Sequence, residues 1–280
     1  MPSRTLTLAV VVFWLGTSTW IFFREAYPWL RAGEPPPYVF DMSDEVGANV
    51  VNWMVLSRGE QVGTASSSIS RLPGRIFQLK CEYTFLKDKL LPVELTKLSS
   101  VVRLTAEGEL RGLACQFKIK PPGGLAPEVV GEIAGDVNND VLTLTPALKV
   151  GGQEQDLSAF LKPAALPTPK RMLNPMHLLS RFPGVRAGQT WKEPVFNFLA
   201  AMLPVRLLDD FLLAKVTAEP LVWDGQEVEC LKISWFDQGQ KVAAVTWVRR
   251  TDGLVLQQEA LHGGLGLVMV RASAKEKSRL

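Results

Sequence analysis

The chain has 280 residues, is 47% hydrophobic and 21% charged, and carries a formal net charge of +3. Its basic residues are scattered rather than gathered into a stripe, which argues against nucleic acid as a partner. Two histidines and three widely spaced cysteines likewise argue against a zinc centre and a disulfide framework.

Residues 5–23 read TLTLAVVVFWLGTSTWIFF, with no charge. A secretory signal ends its apolar core in small residues at a cleavage site, whereas a spanning helix needs about 20 apolar residues to cross about 30 Å of hydrocarbon. Gly16, Thr17 and Ser18 offer such a site, but Trp20, Ile21, Phe22 and Phe23 continue the apolar run beyond it with interface-type aromatics. The expectation is an uncleaved transmembrane anchor over 1–24, meeting the membrane through 5–23. Arg4 and the terminal amine stand on one side, Arg24 and Arg31 on the other. Since a long C-terminal domain translocates largely regardless of flanking charge, the bulk of the chain is expected outside the cytoplasm. This places it as a single-pass protein of the inner (cytoplasmic) membrane, with its bulk in the periplasm. Residues 25–48 include Pro35, Pro36 and Pro37 and form a semi-rigid spacer.

From 49 to 272 the pattern predicts one β-rich domain. VVNWMVLS (50–57) and QVGTASSSIS (61–70) flank the short link RGE, of hairpin length. IFQLKCEYTF (76–85) alternates Phe77, Leu79, Cys81, Tyr83 and Phe85 against Ile76, Gln78, Lys80 and Glu82, the period of a half-buried strand. Strands are expected at 93–105, 110–120, 129–133 and 141–145. From Lys215 to Ala272, turn signals recur every 8 to 12 residues (DGQ, DQGQ, TDG, HGG), as in an antiparallel meander.

Between the two β regions the texture changes, and a helical insert is expected over about 172–213. Asn174-Pro175 offers an N-cap and a proline at the first helical position, opening a short helix through Arg181. PGVRAGQTW (183–191) reads as a loop leading to a buried aromatic. Phe196, Leu199, Leu203, Leu207, Leu208 and Phe211 then recur at helical spacing, interrupted near Pro204. Phe196, Leu199, Leu203, Leu207 and Phe211 are the candidate ligand-lining or lid residues, set against the concave face of the sheet; plain core packing is the alternative. Residues 273–280 form a basic tail, expected to be a solvated end.

Three short patterns carry a resemblance. They are W-x-V-x(3)-G-x-x-V-G (Trp53, Val55, Gly59, Val62, Gly63), G-x-x-x-G-Q-T-W (Gly184, Gly188, Gln189, Thr190, Trp191) and W-V-x(4)-G-x-V-L-x-x-E (Trp247, Val248, Gly253, Val255, Leu256, Glu259). Together they resemble a loose group of bacterial envelope proteins of unknown function, whose curved sheet is similar to that of lipoprotein carriers. The resemblance implies a half-barrel wrapped around a helix, compatible with an apolar cavity, and supplies no catalytic residue. The fold class expected is therefore mainly β (α+β): a curved antiparallel sheet or half-barrel with a helical insert, behind one N-terminal transmembrane helix.

No catalytic motif emerges. His177 and His262 lie in no H-E-x-x-H, and no G-x-S-x-G elbow surrounds Ser66, Ser67 or Ser68, which read as the solvent side of a strand. DVNND (136–140) begins like a calcium loop, but Val141 and Ala147 stand where Gly and Glu are required, so a polar turn is expected. Cys81, Cys115 and Cys230 read as small buried hydrophobes; one Cys81–Cys115 bond is chemically allowed and would leave an odd thiol. No cofactor and no metal site are expected. The function expected is that of a non-enzymatic envelope protein binding a lipid-like ligand or a partner lipoprotein. A purely structural or assembly role and a hydrolase with a dispersed Ser/His/acid site are the alternatives.

Overall fold

The computed structural model describes residues 4–21, 50–86, 94–106, 108–120, 127–156, 164–165, 177–194, 211–261 and 266–273. Among the described residues, apart from one helix, α1 (Arg4–Ile21), the regular elements are all antiparallel strands. The first half contains β1 (Val51–Ser57), β2 (Glu60–Leu72), β3 (Ile76–Phe85), β4 (Glu94–Thr105), β5 (Leu110–Lys120), β6 (Val129–Asn138), β7 (Val141–Val150), β8 (Gln153–Asp156) and the two-residue β9 (Ala164–Ala165). The second contains β10 (Thr190–Pro194), β11 (Phe211–Trp223), β12 (Gln226–Phe236), β13 (Val242–Arg249), β14 (Val255–Ala260) and β15 (Leu267–Arg271).

Within each half, neighbours in sequence are neighbours in space, as tight turns dictate for antiparallel strands. The β1–β2 and β6–β7 hairpins turn through Arg58-Gly59 and Asn139-Asp140, all four at positive φ, the geometry that matches the twist of the flanking strands. DVNND is thus the polar turn expected of it, and Asp136 lies before the turn, ion-paired with Arg103 at 2.7 Å. The two halves join through β15 and β1, whose register sets Trp53 opposite Arg271 and Ser57 opposite Leu267. The hydrogen-bonded path therefore runs β10 to β15, then β1 to β8, with β9 beside β7.

A path this wide cannot stay flat, because twisted sheets of more than about ten strands curl or split. Here it curls around one core: Leu142 on β7, Trp53 on β1 and Leu212 on β11, which lie far apart along the path, belong to a single buried cluster. The inward residues follow the two-residue period. Phe77, Leu79, Cys81 and Tyr83 are buried on β3, as the alternation predicts, and Leu212, Ala214 and Val216 on β11. A smaller cluster of Cys230, Val245, Trp247 and Leu256 is packed by Leu221, Trp223 and Val228 from the β11–β12 hairpin, whose Trp223 indole donates to the Arg271 carbonyl at 3.0 Å.

Four expectations change. The strand β11 begins at Phe211, so the last members of the expected helical insert are strand, fixed by the alternation of Leu212, Ala214 and Val216. No helix covers residues 177–181: Leu178 and Leu179 are buried side by side, and His177 and Leu179 bond to a distant side chain rather than along a helix. Ser67 is buried rather than solvent-facing, its hydroxyl accepting the Trp53 indole N–H at 3.0 Å. Finally, α1 has 18 residues, about 27 Å of rise against about 30 Å of hydrocarbon, and among the described residues no helix is long and apolar enough to cross a membrane.

Candidate functional site: the sheet interior and its strap

The concave face of the sheet is covered by a short extended strap, residues 177–182. Leu178, Leu179 and Phe182 point from it into the core and are at most 3% exposed. Ser180 accepts the Val255 amide at 3.0 Å, and the Phe182 amide donates to the Gly253 carbonyl at 2.7 Å, so the strap runs beside the start of β14 as a partial strand. Gly253 permits the approach: at φ +72° a side chain is strained, and a Cβ there would press on the Phe182 carbonyl at 3.2 Å.

Gln258 secures the other end. Its side chain is 1% exposed; the carboxamide oxygen accepts the Leu179 amide at 3.0 Å and the carboxamide nitrogen donates to the His177 carbonyl at 3.0 Å. One amide thus satisfies a donor and an acceptor that a neighbouring strand would otherwise serve. Arg271 adds a third tie, donating to the Ser180 carbonyl at 3.0 Å while lying 5.9 Å from the centre of the Trp53 ring.

Beneath the strap sits an aromatic cluster. Trp191 and Trp235 meet edge-on at 5.5 Å, and the Phe182 ring is 6.4 Å from each. Each indole N–H has an acceptor, as buried tryptophan requires: Glu193 for Trp191 at 3.0 Å and Thr246 for Trp235 at 3.2 Å. Glu193 is the only fully buried acidic side chain among the described residues. It shares the inward face of β10 with Trp191, two residues away, so recognising TWKEP as a strand would have found it. Gln258 and Arg271 carry no comparable local signal.

Burial holds two cysteine thiols and one histidine of this interior in uncharged forms. Burial pushes the Cys81 and Cys115 thiols up to about 11, which leaves them protonated and poorly nucleophilic near neutral pH. Cys81, Cys115 and Cys230 are free and buried; Cys81 lies on β3 and Cys115 on β5 with β4 between them, about two strand spacings apart and beyond disulfide reach. Desolvation lowers the half-buried His177 to about 4. Among the described residues no serine or carboxylate is hydrogen-bonded to its imidazole, and no group of three His, Cys, Asp or Glu stands together to hold a metal. His262 lies outside the described residues.

Of the five candidate lid residues, Phe196, Leu199, Leu203 and Leu207 lie outside the described residues. Phe211 is half-buried at the start of β11, with the Lys192 ammonium 4.9 Å from its ring centre. The patterns behind the family resemblance have structural explanations: Trp53, Val55, Val62 and Trp191 are core, Gly59, Gly184, Gly188 and Gly253 take positive φ, and Gly63 leaves room for the Thr84 carbonyl.

No family model and no curated protein sequence matches the chain. Among solved structures it is similar to a beta-barrel-like protein of a domain of unknown function, DUF1849, from Brucella abortus, at 10% identity and a TM-score of 0.39. That likeness covers 80% of this chain and 95% of the other, and is too distant to transfer any property.

Two outcomes follow from the strap. Gln258→Leu strands the Leu179 N–H and the His177 carbonyl in the interior, so a urea titration is expected to show a loss of about 1–3 kcal/mol for each buried group left without a partner. His177 has a folded pKa below its unfolded value of about 6.5, so its neutral form favours the fold. Its contribution is complete above about pH 6.5 and is lost as pH falls toward about 4. In His177→Asn the drop in urea midpoint between pH 7 and pH 4.5 is expected to be smaller than in the parent.

Proposed function

We propose that this chain is a non-enzymatic envelope protein, held at a membrane by its N-terminal helix, that works by binding a partner protein through its outer surface. The observation that carries the reading is the strap. A carrier of lipid-like ligands needs its apolar concavity for cargo, and here Leu178, Leu179 and Phe182 occupy the concave face against Trp191 and Trp235. An interior filled by the chain's own side chains favours a scaffold or assembly role over carriage of a ligand.

The membrane part of the reading rests on α1. Its described side chains Phe13, Trp14, Leu15, Trp20 and Ile21 are between 52% and 73% exposed, an apolar surface that lipid would take.

A second reading, a lipid-like ligand that displaces the strap, is favoured by one feature: side chains of Gln258 and Arg271 supply several of the ties to 177–180, and such ties exchange more readily than a full ladder. Native mass spectrometry of the detergent-extracted full chain separates the two. The expected result is the bare polypeptide mass, alone or with a protein partner. A lipid bound in one-to-one ratio, retained after detergent removal and lost when Phe182 is replaced by Trp, would establish the second reading instead.

A further inference from the structure

The outer surface of the sheet carries an apolar row at the end where β11 begins. Leu213 on β11, Val242 on β13 and Leu261 just past β14 are 41%, 38% and 38% exposed, and Phe236 on β12 is half-buried. Leu213 is registered with Phe236, Phe236 with Val242, and the Leu261 amide donates to the Ala243 carbonyl, so the four lie side by side. Val268 on β15 and Leu56 on β1, half-buried and registered with each other, extend the row diagonally across the seam between the two halves. All of these face outward, because their strand neighbours Leu212, Trp235, Ala260, Met269 and Val55 are buried on the inner face. From β11 to β1 the row crosses about 24 Å at the usual strand spacing.

Cations border the row. Lys192 on β10 is registered opposite Leu213, with its ammonium 4.9 Å from the centre of the Phe211 ring; Lys215 is exposed two residues beyond Leu213 on β11, and Lys241 is exposed beside Val242. Of the described carboxylates beside the row, Asp237 accepts the Lys241 amide at 2.7 Å, and Glu259 accepts the Trp247 indole N–H and the Gln257 carboxamide, while Glu60 stands across the β1–β2 turn from Arg58. We infer that this row is a lipid-binding surface that lays one end of the sheet against an anionic bilayer, a second membrane contact besides α1; it rests on the reading of α1 as the membrane helix. Leucine, valine and phenylalanine rimmed by lysine are the chemistry of such a surface: the apolar side chains enter the headgroup boundary, and the lysine stems lie along them with their ammonium groups at the lipid phosphates. A second copy of the chain fits the row less well, since an isologous contact through it would bring the same lysines together.

The experiment uses the full-length protein in vesicles of phosphatidylcholine and phosphatidylglycerol, with one environment-sensitive fluorophore on an introduced thiol; Cys81, Cys115 and Cys230 are buried and leave the label to the new site. Quenching by brominated lipid is expected to be several-fold stronger for a label at Val242→Cys than at Val222→Cys, which is 74% exposed at the opposite end of β11. That difference is expected to fall several-fold when phosphatidylglycerol is left out, which needs no further variant, and when Lys192, Lys215 and Lys241 are replaced together by Glu with the β dichroism intact. Equal quenching at the two positions, or a difference indifferent to the anionic lipid, would overturn the proposal. So would a Val242→Cys label shielded in a cross-linked dimer or by a bound protein, since the row would then belong to that partner. A label at Thr19→Cys in α1 separates the two levels of failure: quenched there but not at Val242→Cys, the helix meets lipid and the row does not; quenched at neither, the membrane reading itself falls.

Discussion

The pairing of β1 with β15 is the constraint from which the rest of the structure follows. Without it the chain is two separate antiparallel meanders, each with one apolar face and no layer to cover it. With Trp53 set opposite Arg271, the two become one path from β10 to β8. That path is too wide to lie flat, and the described residues include no helix besides α1 to supply a conventional second layer. Curling brings residues from distant strands into one cluster, and the strap closes the space that curling leaves.

The strap also explains why polar side chains lie so deep. An extended segment crossing an apolar concavity brings its own amides and carbonyls, each needing a partner. Gln258 and Arg271 on β14 and β15, with backbone groups at Gly253 and Val255, provide them. The two strands that anchor the strap are those next to the β1–β15 seam, so the closure of the sheet and the covering of its face share residues. Arg271 belongs to both, lying near the Trp53 ring and bonding the strap at Ser180.

The strands were legible wherever one face is buried and tight turns bound them. The alternation in 76–85 names the inward residues of β3 correctly, and the turn signals DGQ, DQGQ and TDG fall between the strands they were expected to separate. What local pattern cannot show is a partner far along the chain. The bonds between Gln258 and the strap join residues 79 and 81 positions apart, and nothing around His177 distinguishes a strap from the first turn of a helix. Ser67 reads as solvent-facing from local pattern for a related reason: a serine facing inward is satisfied only because Trp53 on the next strand presents an indole N–H to it. Short β10 carries little periodic signal, because its five residues follow a glycine-containing loop, and Glu193 is hidden with it.

The central claim is that the concave face is closed by the chain's own strap, clamped by Gln258. Amide hydrogen exchange at Leu179 tests it most directly, because that N–H is held only through the Gln258 carboxamide oxygen among the bonds described for it. The account predicts protection at Leu179 approaching that of Ile233 in β12, since both open only when the core does. Exchange at Leu179 at the rate of an exposed loop, with Ile233 still protected, would show that the strap leaves the interior while the sheet stays folded, and would contradict the account.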